Sequence, residues 1–134
     1  MALAGYSGKP LIRKLSIAPQ MRVLLHHAPA NYMELLGEDI SNQLVTSPPA
    51  ELVHLFCVSR HDLETRFTGL IGQLPPKAMV WISWYKRSAK IPTDITEDSI
   101  REIVLPLGWV DVKVCAVSVV WSGWKIVRRT ADKR

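Results

Sequence analysis

Three apolar runs of strand length recur along the chain, and segments with helical periodicity separate them. Unbroken apolar runs of this length are typical of strands buried on both faces of a parallel sheet. A weaker run at 39–45, ahead of Pro48 and Pro49, is predicted to be a short edge strand. The three strong runs are RVLLHH at 22–27, LVHLFCV at 52–58 and MVWISW at 79–84.

The segments between these runs repeat apolar residues with the 3.6-residue period of an amphipathic helix. The clearest such segment is 63–74, which ends at a Pro-Pro pair. A second, 93–108, has an acidic first turn that complements the helix dipole, and Gly108 is its predicted stop. Two shorter helices are predicted, one opening at Ser7 or Gly8 with Pro10 in its first turn and one at 32–36 before Gly37.

The last third of the chain follows a different pattern. Residues 110–116 alternate between apolar and polar, as a half-exposed antiparallel strand does. The alternation changes phase after Ala116, which indicates a β-bulge or a fully buried strand end. The run from Trp121 to Trp124 predicts a tight Ser-Gly hairpin turn, followed by a last strand at 124–129.

Strands that alternate with helices predict a parallel sheet covered by helices on both faces. We therefore expect an α/β fold of three layers, Rossmann-like, with a mostly parallel sheet and an antiparallel C-terminal hairpin. The length of 134 residues predicts one domain spanning 1–134. Residues 130–134 are predicted to form a flexible basic tail.

The composition is ordinary for a globular protein, with 48% hydrophobic and 22% charged residues. No apolar run approaches the ~20 residues that a membrane-spanning helix needs, and no secretory signal pattern is seen at the start. Cys57 and Cys115 both lie in apolar strand-like runs rather than in a C-x-x-C pair. They are predicted to be buried reduced thiols, and the predicted location is the cytoplasm.

The net charge of +5 is unevenly distributed. Residues 1–33 contain no acid, whereas 34–64 contain six acids and only Arg60 as a base. Basic residues recur at 86–90 and at the C-terminus, including Arg128 and Arg129. Such a distribution is compatible with binding of nucleic acid or another anion. The preferred interpretation is an ordinary solvated surface with a disordered basic tail.

The order of elements, closing on a long strand hairpinned to a last antiparallel one, resembles the class I methyltransferase fold. Nearly the whole chain more closely resembles a family of small, mostly bacterial proteins classed as a domain of unknown function. The segments that carry this resemblance are GYSGKPL at 5–11, RVLL at 22–25, TDITED at 93–98, VDVKVCA at 110–116 and WSG at 121–123. The resemblance implies a fold, but it brings no activity with it.

Two departures set the chain apart from working class I methyltransferases. Those enzymes place a glycine-rich turn after the first strand and an acid after the second, which together hold S-adenosylmethionine. Here no glycine occurs between Arg22 and Gly37, and 46–50 contains no acid. About 23 residues separate the first strand from the next strong one, which is short of the ~30 that a full βαβ unit takes. The sequence therefore predicts no adenosyl cofactor, and it lacks the Walker motif of nucleotide-binding loops.

Any site is expected where the parallel strands end, at the carboxyl edge of the sheet. His26 and His27 would point to opposite faces of a continuous strand, so at most one is expected to face the site, and either could be a packed core histidine. A metal site at His26, His61 and Asp94 would require the loops to fold over, and none is predicted. The candidate ligand-binding residues are His26, His27, Asn31, Ser59, Arg60, Trp84, Lys86, Lys90, Thr93 and Asp94, with His61 and Arg87 on the same loops.

Three functions are compatible with these features. The leading one is a binding or assembly module without catalysis or cofactor, a homodimer through a tryptophan-bearing edge at Trp121 and Trp124. The alternative is an enzyme or sensor for a small anionic ligand, which would use Lys86, Lys90, Asp94 and a histidine. The third, a weak nucleic-acid binder acting through Arg128 and Arg129, is the least expected.

Overall fold

The structure, a computed structural model, describes residues 10–129. It contains four α-helices, six strands and four short 3-10 turns within that range. The helices are α1 (Leu11–Lys14), α2 (Tyr32–Leu36), α3 (Arg60–Leu70) and α4 (Glu97–Val104). The strands are β1 (Val23–His26), β2 (Leu44–Val45), β3 (Leu52–Phe56), β4 (Met79–Tyr85), β5 (Trp109–Ala116) and β6 (Trp121–Arg128).

The six strands form one sheet in the order β2-β1-β3-β4-β6-β5. The strands β2, β1, β3 and β4 are parallel, and β6 runs antiparallel to both β4 and β5. The predicted α/β fold with a mostly parallel sheet and an antiparallel C-terminal hairpin is therefore confirmed. Because each parallel connection carries the chain back to the same edge, β1, β3 and β4 end side by side.

Helices cover both faces of this sheet, and the two sides of β3 contribute to different apolar clusters. One cluster joins α1 and α2 to residues such as Phe56 and Trp81, and the Trp81 indole N–H donates to the carbonyl of Leu15 at 2.9 Å. The other joins α3 and α4 to residues such as Leu55 and Trp84. Trp81 and Trp84, three residues apart in β4, thus lie on opposite faces, as strand alternation requires.

The helix ends follow from local sequence. Ser59 precedes α3 and its hydroxyl accepts the Asp62 backbone N–H, while Thr96 and Ser99 form a reciprocal capping box at α4. Gly108 has a φ of +88°, in the left-handed region where a side chain would be strained. The predicted stop of the α4 segment is therefore confirmed.

The hairpin turn was predicted in the wrong place. The residues from Trp121 to Trp124 lie inside β6, and the chain reverses at 117–120. The Ser118 hydroxyl holds this turn because it accepts the N–H groups of Val120 and Trp121. Gly123 instead allows close packing, since a Cβ there would lie 2.9 Å from Val117 Cγ2.

Other differences concern strand ends and the termini. The predicted edge strand at 39–45 contains strand pairing only at Leu44–Val45, and the bulge lies between Asp111 and Lys113 rather than after Ala116. Ser7, Gly8 and the predicted tail at 130–134 lie outside the described residues. Among the described residues, no helix has the length and apolar character needed to span a bilayer.

Candidate functional site

The carboxyl edge of the sheet brings together the ends of three strands from distant parts of the chain. In β1 and β3, His26 is paired with Leu55, and in β3 and β4, Phe56 is paired with Ser83. The segments that leave these strands carry the predicted site residues. They fall into two groups, a histidine cluster above β1 and β3 and a basic cavity beyond β4.

His26 and His27 lie side by side, contrary to the expectation that they would point to opposite faces. The strand ends at His26, and His27 adopts a φ of +54° in the left-handed region. That change of backbone conformation interrupts the alternation of side chains. The two imidazole rings stack with centroids 4.0 Å apart and planes 20° apart. Both histidines therefore belong to one site.

Asp62, in the first turn of α3, completes this cluster. Its Oδ2 lies 3.4 Å from His26 Nε2, and its Oδ1 lies 3.7 Å from Arg66 Nε. The ligand atoms of His26, His27 and Asp62 all lie within 4.8 Å of one another. Burial lowers the pKa of His26, and the bond to Asp62 only partly opposes this effect. His26 is thus held toward the neutral imidazole.

The sequence analysis did not identify this cluster, because it did not include Asp62 among the candidate site residues. Asp62 follows Ser59 by three residues, which is the spacing at which an N-cap hydroxyl accepts a backbone N–H. That spacing fixes Asp62 in the first turn of a helix that starts at the end of β3. Cys57 lies below it, and burial together with the Asp62 carboxylate raises the pKa of its thiol to about 12.

Several predicted ligand-binding residues form hydrogen bonds or ion pairs that stabilise the loops. The Asp94 carboxylate accepts the Arg60 backbone N–H at 2.7 Å, and the Arg60 guanidinium pairs with Glu102. The Thr93 hydroxyl donates to the Val58 carbonyl at 2.8 Å. The structure does not bring Asn31, Ser59 or His61 into the three-residue cluster: Asn31 precedes α2, Ser59 caps α3, and His61 is exposed in α3.

The second group forms a cavity of about 480 Å³ beyond the end of β4. Lys86 and Arg87 contribute its positive charge, and Trp84 and the first residues of α4 form its walls. Lys90 is not among the lining residues and occupies a left-handed turn after the Arg87–Ala89 segment. The cavity therefore contains Trp84, Lys86 and Thr93 of the predicted set but not Lys90, and it adds Glu97.

A buried polar network lies deeper in the sheet. His54 is fully buried in β3, and its two ring nitrogens lie 2.8 Å from the Tyr32 hydroxyl and 2.8 Å from Ser83 Oγ. Desolvation lowers the pKa of His54 to about 3 and raises that of Tyr32. All three groups are hydrogen-bonded, and Ser83 is fully buried, so this network stabilises the core and exposes no nucleophile.

The residues predicted to form an interface or to bind nucleic acid make contacts with other residues of the same chain. Trp124 is 6% exposed and packs edge-on against Trp84, while Trp121 stacks on Tyr85. Their strand, β6, lies between β4 and β5 and is not an edge of the sheet. Arg128 donates to the carbonyls of the 71–75 segment, and Arg129 donates to the carbonyl of Leu105.

Comparisons with known proteins concern the fold. No protein-family model matches the chain, and no curated protein matches it in sequence. The resemblance to a small bacterial family thus stays a prediction.

Several solved structures are similar. A putative type 11 methyltransferase from Sulfolobus solfataricus is 13% identical, with 94% of each chain covered and a TM-score of 0.60. Ribosomal protein L11 methylase from Lactobacillus delbrueckii subsp. bulgaricus is 14% identical, covering 88% of this chain and 74% of that one, with a TM-score of 0.57. DhpI, solved with SAH, is 11% identical, covering 90% and 82%, with a TM-score of 0.55. At such sequence identities the structural similarity establishes only the fold of the chain, which is a methyltransferase-like α/β fold.

Proposed function

We propose that this protein is a binding and assembly module that uses a methyltransferase-like fold without binding S-adenosylmethionine and without catalysing methyl transfer. The observation that carries the proposal is the stacked pair of His26 and His27 at the end of β1. Backbone must approach an adenosyl cofactor closely at that position, which is why glycine suits it. Here this position carries two stacked imidazole rings instead of glycine, and the Asp62 carboxylate lies beside His26.

The second strand also does not fit the cofactor. β2 consists of Leu44 and Val45 alone, and Thr46 follows it where a carboxylate would hold the ribose hydroxyls. The residues present therefore do not match the donor set of S-adenosylmethionine, and we derive no chemical step through it. Because Cys57 and Cys115 are both free thiols, we place the module in the reducing cytoplasm.

Isothermal titration calorimetry with S-adenosylmethionine and with S-adenosylhomocysteine tests this proposal. We expect no binding heat at ligand concentrations up to the millimolar range. The same ligands should leave the unfolding temperature unchanged, whereas a ligand at 100 times its Kd would add about 2.7 kcal/mol of stability. Saturable binding of either compound in the micromolar range would overturn the proposal.

We propose that the assembly is a homodimer formed through β5. Within residues 10–129, β5 pairs with β6 alone, so its outer edge has backbone N–H and C=O groups without strand partners. Val112 and Val114 are 54% and 65% exposed on this strand. Exposed apolar residues on an edge strand favour pairing with a second copy. We therefore propose Val112 and Val114 of β5 as the interface residues, in place of Trp121 and Trp124 of β6.

The oligomeric state can be measured by sedimentation velocity for the wild type and for Val114→Lys. We expect a dimer that the lysine converts to a monomer, because two charges would face each other across the paired edges. Val119→Lys is the matched control, since Val119 is 74% exposed but lies in the 117–120 turn. A monomeric wild type, or equal effects of the two variants, would argue against a β5 interface.

A second candidate function is binding of a small anion in the cavity beyond β4. The specific observation is that Lys86 and Arg87 line one 480 Å³ cavity together with the start of α4. Thermal unfolding with inorganic phosphate and with nucleotides tests it. The candidate requires a stabilising shift that Lys86→Ala and Arg87→Ala abolish and that Lys77→Ala, an exposed lysine before β4, leaves unchanged. Equal shifts in all variants would mean nonspecific charge binding.

A further inference from the structure

We propose that His26, His27 and Asp62 form a binding site for a divalent transition-metal ion such as Zn²⁺, with water completing the coordination. This proposal does not depend on whether the protein binds S-adenosylmethionine. It rests on the chemistry of the three side chains. Two imidazoles and one carboxylate are an established ligand set for zinc, and an open fourth position is typical of sites that bind a further molecule.

The first argument is a distance. His26 Nε2 and Asp62 Oδ2 are 3.4 Å apart, which is longer than the ~2.7–3.2 Å of an ordinary N–H···O hydrogen bond. Two ligands on one zinc ion, each bonded at about 2.05 Å in tetrahedral geometry, are separated by about 3.4 Å. The spacing of these two atoms therefore also fits two ligands of one shared metal ion.

The second argument concerns His27. It is exposed, and its ligand nitrogen lies within 4.8 Å of the other two ligand atoms. The stacked rings cannot both direct a lone pair at one ion, because a ring nitrogen binds metal in the plane of its ring. Metal binding therefore requires the exposed His27 side chain to rotate about its own bonds, so that its ring plane points toward the ion.

The third argument is electrostatic. His26 is 13% exposed and Asp62 26% exposed, so the ion would be only partly solvated there. Arg66 pairs with Oδ1 of Asp62, the oxygen that does not face His26. Its positive charge opposes a bound cation, so removing Arg66 should tighten binding.

The ligand set also predicts selectivity. Imidazole nitrogens favour Zn²⁺, Co²⁺, Ni²⁺ and Cu²⁺ over Mg²⁺ and Ca²⁺, which prefer oxygen ligands. Cys57 lies beside Asp62, but among the described residues its sulfur is not part of the group of ligand atoms that His26, His27 and Asp62 form. We therefore assign the remaining position to water rather than to sulfur.

Protein stripped of metal by a chelator is titrated with ZnCl₂ in a calorimeter, and with CoCl₂ while the visible d–d bands are recorded. We expect one ion per chain, Co²⁺ bands of four-coordinate intensity, and no effect of MgCl₂. His26→Ala, His27→Ala and Asp62→Asn should each weaken binding about tenfold or more, because even second-sphere changes cost ~10–100-fold. Arg66→Gln should strengthen it, and Cys57→Ser should leave it unchanged.

His61→Ala is the matched control, since His61 is an exposed histidine of the same helix and lies outside the cluster. Thermal unfolding in the absence of metal shows which variants are folded, and the folded ones decide the outcome. The proposal fails if the wild type binds no Zn²⁺ below millimolar concentrations. It also fails if His61→Ala weakens binding as much as the cluster variants do, or if Cys57→Ser abolishes the Co²⁺ spectrum.

Discussion

At the scale of single residues, the site depends on the backbone of His27. A left-handed φ of +54° is unfavourable for a residue with a side chain, although histidine tolerates it better than most. Strain of this kind persists where the surroundings require it and is concentrated at functional sites. Here it places the second imidazole beside the first. The chain thus carries a local cost in stability that a glycine would remove.

We predict that His27→Gly is more stable than His27→Ala by about 1 kcal/mol in urea unfolding. Both substitutions remove the imidazole, so the difference between them reports the cost of the left-handed backbone, reduced by the extra chain entropy that glycine loses on folding. Both should bind Zn²⁺ equally weakly. An alanine variant as stable as the glycine variant would mean that the segment relaxes to another conformation and that His27 is not strained.

At the scale of elements, the C-terminal hairpin depends on the absence of a side chain at one position. Gly123 in β6 is buried, and a Cβ there would lie 2.9 Å from Val117 Cγ2 and 3.3 Å from the Cys115 carbonyl oxygen. The turn at 117–120 folds back over this position, so Val117 is 4% exposed. The close approach of turn and strand is what sets the path of the hairpin.

We predict that Gly123→Ala lowers the free energy of unfolding by about 1–3 kcal/mol, because overpacking forces backbone or side chains to shift. Gly69→Ala in α3 is the matched control. A Cβ at Gly69 meets no atom within 4 Å, and alanine favours a helix, so this change should stabilise by about 0.5–1 kcal/mol. Gly123→Ala should cost less in a Val117→Ala background than in the wild type, because the methyl group that it meets is then absent. A stable Gly123→Ala variant would contradict the packing argument.

At the scale of the whole molecule, the buried His54 links stability to pH. Its pKa is about 3 in the folded protein and 6.5 in the unfolded chain. Between these values the unfolded chain binds a proton that the folded protein does not bind. Stability is therefore constant above about pH 6.5 and falls as the pH is lowered toward 3. The partly buried His26 contributes with the same sign.

We predict that the free energy of unfolding decreases by about 2 kcal/mol from pH 8 to pH 5 because of His54. Urea unfolding of the wild type and of His54→Gln at both values measures this. Glutamine keeps hydrogen-bonding groups for Tyr32 and Ser83 but does not titrate, so its stability should vary less with pH. His26→Gln shows the separate contribution of the cluster. Equal pH dependence of wild type and His54→Gln would contradict the assignment.

The elements could be predicted from the sequence because their signals are local. Continuous apolar runs predicted β1, β3 and β4, and the 3.6-residue period predicted α3. The stop at Gly108 also follows from residues close in the chain, as does the capping of α3 by Ser59. The order of these elements was sufficient to predict the sheet and its carboxyl edge.

The tertiary structure decided which side chains meet at that edge. Their meeting depends on contacts between residues that are distant in the chain and on single backbone angles. His26 and Asp62 are 36 residues apart and meet only because α3 begins beside the end of β1. His27 joins them through a φ value that no periodicity indicates. Gly123 looks like a turn residue until its neighbours are known. The sequence alone thus predicted the edge of the sheet at which a candidate site would lie, and packing determined which side chains meet there.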